Sequence, residues 1–313
     1  MRIEIPENIQ TFGEGATHFH ALCYMQIFLR IAARKLEKTF APFPINDIKA
    51  TEANIILRII SNLESFQTLC LAGKDYSACC TLARSIADSI IAIKLIYQTK
   101  DIDEKTFRHY LYILDGLILN KKLLNDKLEN NGGITDEEFQ ALLKQYNTAR
   151  QRVSEGIDYC NGILQKHPYK TAFPEFFNAA IKSGSWKYKE KRVKDRNNQV
   201  PCFSWEKLYS LIDNRPSIIS MYSFFFSQFV HGLSISNMLG YNDADNFESL
   251  ASCVVCLQGI VADELKQNFN DNKKLLEYMT DKDIQDIMEL HTPERRSQIM
   301  EEIYSKYNGG KYV

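Results

Sequence analysis

Glycine and proline are scarce in this chain: fourteen and eight among 313 residues, about half of ordinary usage. That scarcity excludes collagen-like and low-complexity architectures and leaves little punctuation for a many-stranded β fold. An excess of either charge is also missing, with 38 basic against 39 acidic side chains. A formal charge of −1 provides no global field to draw the chain onto nucleic acid or an anionic membrane, so any such contact has to be local. The eight cysteines are scattered through apolar helical stretches without the spacing of a disulfide framework, and they read as reduced core residues. The opening stretch MRIEIPENIQTFGEG has no apolar leader core, so a cytoplasmic location is expected. A glycine-rich phosphate loop, a His-Glu-x-x-His pair and a Gly-x-Ser-x-Gly elbow are all absent from the sequence, and no metal or cofactor is expected.

Apolar residues, 45% of the chain, recur at intervals of three and four. This periodicity predicts an all-α fold, a multi-helix bundle with a long basic loop and a C-terminal helical extension. Helices are predicted at about 15–39, 47–73, 75–99, 103–129, 135–166, 174–182, 204–213, 217–239, 246–279, 281–290 and 293–307. Residues 1–242, including a loop at 183–203, are expected to form the bundle core, with 243–313 packed on the same domain. Asp101 and Asp103 offer side-chain oxygens to orphan amides at a helix start. Thr135 and Glu138 make a capping-box pattern, and the Asn130-Asn131-Gly132-Gly133 turn is short enough to set two long helices antiparallel.

The span 183–203, SGSWKYKEKRVKDRNNQVPCF, lacks an apolar period. From Lys182 to Arg196 it carries seven basic and two acidic residues. A mobile solvated connection is the leading reading. The alternative is an RNA contact along Lys187 to Arg196, with Trp186 and Tyr188 as stacking platforms. From Pro216 to Asn242 the chain holds no charged residue, which is long enough to cross a bilayer. Six serines, Gln228, His231 and two asparagines favour a helix buried in protein instead.

Two helices carry polar stripes on otherwise apolar cylinders. On 75–99, Ser77, Thr81, Arg84 and Asp88 share one seam, and Arg84 and Asp88, four apart, can touch. On 217–239, Ser220, Ser223, Ser227, His231 and Ser234 share one arc. These stripes are expected to face each other, forming an interior polar site in which the His231 imidazole moves a proton. Two other faces are candidate contributors: Thr51, Asn54, Arg58, Ser61 and Ser65 on one helix, and Arg108, Tyr112 and Asp115 on another. Cys253-Val-Val-Cys256 has redox or zinc spacing, but it lacks a second ligand pair and reads as core packing. His18 and His20 point to different faces of a helix and read as surface residues.

The run GKDYSACCTLARSIADSIIAIKLIY, then Arg108, then YSFFFSQFVHG, resembles the uncharacterised bacterial family known as DUF5677 over roughly residues 45–240. Its pattern is an Arg four before an acidic residue, then Tyr, Ser and His-Gly on a later helix. The matching positions are Arg84 and Asp88, then Tyr222, Ser227, His231 and Gly232, with Asp88 standing where Glu is more usual. The resemblance implies a helical fold and a polar site without an assigned activity. Two functions follow as expectations. One is a non-catalytic module whose site, built from Arg84, Asp88, Arg58, Arg108, Tyr112, Tyr222, Ser223 and Ser227, binds a small ligand or a protein, a second copy of the chain included. The other is a metal-independent ribonuclease similar to the HEPN group, acting in defence or as a toxin. There Arg84 would stabilise the anion and His231 would move protons. The HEPN pattern places its Arg five to seven residues before the His, whereas the nearest upstream here is Arg215, so Arg84 would have to act through space.

Overall fold

The computed structural model describes residues 17–40, 45–124, 128–194, 199–232, 244–269 and 275–292, with a few isolated positions up to 301. The chain is all-α: the described residues contain helices and no β-strand, only two isolated bridges within the basic loop. They form two compact units. The first is drawn from segments 1–44, 49–93 and 205–313, the second from 45–48 and 94–204. Residues 1–242, expected to form one bundle core, are thus shared between the two units. The crossing between segments at 93 and 94 falls inside an unbroken helical run, where no Gly or Pro marks it.

The first unit contains α1 (His18–Thr39), α2 (Ile48–Leu71), α3 (Tyr76–Ala92), α8 (Trp205–Tyr209), α9 (Pro216–Ser220), α10 (Phe226–Val230), α11 (Ala244–Asn268) and α12 (Asp281–His291). Asp75 caps α3 from a left-handed conformation, its carboxylate accepting from the Ala78 amide at 2.9 Å. That bond satisfies a donor the helix cannot satisfy itself. The long helices α1 and α11 pack together, and α3 lies against α10 and α11. Their shared interior is mainly apolar: Leu22, Ile56, Leu63, Phe66, Ile86, Phe226, Phe247 and Val254 are all buried, around a buried Gln258 that donates to Gln26 at 3.2 Å.

The late helix α12 returns to the start of the chain. Leu290 joins Cys23, Ile27 and Ile31 in one cluster. Arg30 and Arg34 both close on Asp283, whose carboxylate is completely buried. Burial alone would raise the Asp283 pKa, but hydrogen bonds from Arg34, Thr280 and Arg30 outweigh it and hold the group well below the usual carboxylate range. His20, expected at the surface, is 1% exposed and pairs with the Leu290 carbonyl at 2.9 Å. His18 is exposed as expected.

The second unit contains α4 (Ile102–Leu123), α5 (Asp136–Leu164), α6 (Tyr169–Ala172) and α7 (Pro174–Ser183). Asp101 caps α4 by accepting from the Asp103 and Glu104 amides, and Thr135 and Glu138 close a capping box at the start of α5. Gly156 lies against Leu117 and Tyr159 against Tyr110, a pairing that runs in opposite directions along the two helices. The two are therefore antiparallel, as the short turn required. The core centres on Phe107, whose ring meets His167, Tyr169, Phe176, Phe177 and Tyr188 within 6.1 Å.

The basic loop is folded into this unit. Tyr188 and Cys202 form one antiparallel bridge and Lys194 and Gln199 the other. Trp186 and Tyr188 are 7% and 1% exposed, so neither ring offers a face for base stacking. Their burial is explained by Arg108, itself 4% exposed. Its guanidinium donates to the Trp186 carbonyl at 2.8 Å and the Tyr188 carbonyl at 3.0 Å, and twice to Glu104. Arg196 lies outside the described residues.

Candidate functional site

Arg84 sits at the middle of α3, on the polar seam of a helix whose opposite face is core. Its Nε donates to both Asp88 oxygens, at 3.1 and 3.2 Å, as one turn of helix allows. Its Nη1 donates to the Ser227 hydroxyl at 2.8 Å and to the Tyr222 carbonyl. Arg84 and Ser227 are 143 residues apart in sequence. The two stripes expected to converge are thus joined at Arg84, Asp88 and Ser227.

The Tyr222 carbonyl is available because the helix is irregular there. Residues Met221–Phe225 form a π turn, and the Phe226 amide bonds to the Met221 carbonyl, five residues back. In a regular α-helix that amide would take the carbonyl of Tyr222. The wider turn leaves that oxygen to accept from Arg84. It also breaks the straight serine arc: Ser220 is exposed and Ser223 half-buried, while Ser227 reaches the arginine.

Short helix α8 supplies residues the sequence did not single out. Tyr209 donates its hydroxyl to Asp88, and Arg84 lies 4.7 Å from the Tyr209 ring centroid and 5.8 Å from that of Trp205. A guanidinium over an aromatic face gains from the ring quadrupole. Trp205 stacks on Tyr209 and Tyr209 on Tyr222, giving a row of three rings. Desolvation, then the Asp88 charge, push the Tyr209 hydroxyl far above its ordinary value; desolvation does the same to Tyr222. Both phenols are therefore neutral donors at physiological pH. The i, i+4 pair Trp205 and Tyr209 was the available signal.

Not every predicted contributor joins this cluster. His231 ends α10 with an exposed side chain and takes no part in the bonds around Arg84. Ser234 lies outside the described residues. Arg58 is exposed, on the solvent face of α2 with Ser61 and Ser65, and is not a member of the site. Arg108 and Tyr112 belong to the second unit, where Arg108 ties down the basic loop and Tyr112 meets Trp186 edge-on at 5.1 Å. The Arg84 side chain is 12% exposed and that of Asp88 36%, so the cluster is partly buried and opens to solvent on the Asp88 side. Among the described residues, no three His, Cys, Asp or Glu side chains are placed to share a metal ion, and no helix is long and apolar enough to cross a membrane. Comparison with known protein families, curated proteins and solved structures gives no match.

Proposed function

We propose that this chain is a cytoplasmic helical binding module, DUF5677-like, whose Arg84–Asp88 recess recognises a small ligand bearing a carboxylate or phosphate. The observation that carries the reading is the division of labour within one guanidinium. Nε and Nη1 are committed to Asp88, Ser227 and Tyr222, which fixes the plane of the group, while Nη2 enters none of these bonds. A pre-oriented, charge-assisted donor beside the half-exposed Trp205 ring suits an anion attached to a flat or apolar body. Fixing the arginine in advance lowers the ordering cost of binding.

Tryptophan fluorescence tests this directly, because the chain has only two tryptophans and Trp186 is buried in the second unit. Titration with inorganic phosphate and with nucleoside monophosphates is expected to change the emission of Trp205. The response should vanish in Arg84→Ala and in Trp205→Phe. A response unchanged in Arg84→Ala would reject the recess as the binding site.

A second reading, the metal-independent ribonuclease similar to the HEPN group, draws support from the position of His231. It stands four residues beyond Ser227, one helical turn, with its ring open to solvent. Incubation of the full chain with total RNA, with and without chelator, separates the two. Chelator-resistant cleavage lost in both His231→Ala and Arg84→Ala would favour the enzyme, and intact RNA would favour the module. Lysines 187, 189, 191 and 194 of the basic loop would then be the natural RNA contacts, acting by charge without aromatic stacking.

A further inference from the structure

Two sulfur atoms meet where the π turn packs on α11, and a third stands one helical turn further along that helix. Cys253 and Cys256 are three residues apart on that helix, a spacing that puts their Cβ atoms about 5–6 Å apart on one side. The Cys253 thiol points at the Met221 thioether, with Sγ and Sδ separated by 3.4 Å. Cys253 is partly exposed and Cys256 exposed, which contradicts the expectation that the pair is sealed in the core and gives solvent access to the group.

The chemistry of the donors is one-sided. Two thiols and a thioether form a soft, polarisable set, suited to monovalent ions of the copper(I) class rather than to magnesium or calcium, which require oxygen. Zinc is poorly matched as well, because a closed zinc site wants four ligands from Cys, His or carboxylate. No third residue of those kinds is placed to join Cys253 and Cys256 among the described residues. The surroundings fit the charge. Two thiolates around a monovalent cation leave one net negative charge, and the Arg215 guanidinium acts electrostatically on both sulfurs.

We propose that Cys253, Cys256 and Met221 form a trigonal site for a soft monovalent cation, copper(I) or its analogue silver(I). On binding, the two S–H bonds break and release two protons to solvent. Two metal–thiolate bonds form, the Met221 sulfur donates a lone pair as third ligand, and the metal keeps its oxidation state. A metal–sulfur bond of about 2.3 Å, the length zinc makes to thiolate, sets sulfurs in a trigonal plane about 4 Å apart. Cys253 and Met221 need only separate by a little over half an ångström from their present contact.

The test is anaerobic titration of the reduced full chain with copper(I) against a chromophoric copper(I) chelator. One equivalent is expected to be withheld from the chelator, with loss of two thiols reactive towards a maleimide. Cys253→Ser and Cys256→Ser should each weaken binding by more than about 100-fold, beyond the 10–100-fold typical of supporting residues. Met221→Leu, which keeps the volume, should weaken it by about tenfold while the thiols still react, and circular dichroism of each variant verifies folding. Two results would overturn the site: wild type yielding all its copper to the chelator, or the Cys253→Ser/Cys256→Ser variant retaining one tightly bound equivalent.

Discussion

Arg84 in the first unit and Arg108 in the second start from the same local design. Each lies on a helix four residues from a carboxylate, and each reaches carbonyls far along the chain. Their ends differ. Arg108 uses Nε, Nη1 and Nη2 on Glu104, Trp186 and Tyr188 and covers its cation with the Tyr188 ring at 3.8 Å. Among the described residues the hydrogen bonds of Arg84 to Asp88, Ser227 and Tyr222 run from Nε and Nη1, and its carboxylate partner stays 36% exposed. The contrast teaches that an arginine beside an acid is informative only through its remaining donors. A guanidinium with every nitrogen engaged on its own chain is architecture, and one with a nitrogen in reserve can recognise something else.

The sharpest way to break this comparison is Arg108→Ala. It leaves two buried carbonyls without their donor and Glu104 with only the longer pair to Lys191, and should cost about 3–5 kcal/mol in urea unfolding; a cost near zero would mean that the loop is held by other contacts. Next comes Asp283, where two arginines converge on one carboxylate. Its folded-state pKa lies below the unfolded value of about 4. The stability it contributes is therefore present above that value and drains away as pH falls through the folded pKa. Asp283→Asn should lose about 2–3 kcal/mol at pH 7, with the gap from wild type narrowing at pH 3. Arg84→Ala follows, at about 1–2 kcal/mol, because its hydrogen bonds are partly solvated. The smallest effect belongs to Arg58→Ala, within about 0.5 kcal/mol, as for an ordinary surface position.

Much of this was legible in the sequence because it depends on local periodicity. The seam of Ser77, Thr81, Arg84 and Asp88 follows from 100° per residue, and its meeting with Ser227 follows from the cost of burying such groups unpaired. The cap at Asp101 and the box at Thr135 were readable for the same local reason. What stayed hidden was non-local or irregular. Glu104 as the partner of Arg108 was within reach, four residues upstream, but the burial of the basic loop depends on two carbonyls, and a sequence gives no sign of where a carbonyl points. The two-unit division was hidden because the return of α12 onto α1 links the chain's extremes. The placement of His231 was misjudged because uniform helical arithmetic was carried through Met221–Phe225, where the helix does not obey it.

That π turn has a consequence for how the recess can change over time. A turn closed by five-residue bonds carries roughly one residue more than its regular counterpart, so its presence is a matter of chain length as well as side-chain chemistry. Deleting a single residue between 221 and 225 would restore the ordinary winding and withdraw the spare oxygen while leaving the residues downstream on the faces they now occupy. Insertions and deletions across these five positions, more than exchanges of one amino acid for another, are the changes this recess is least able to absorb.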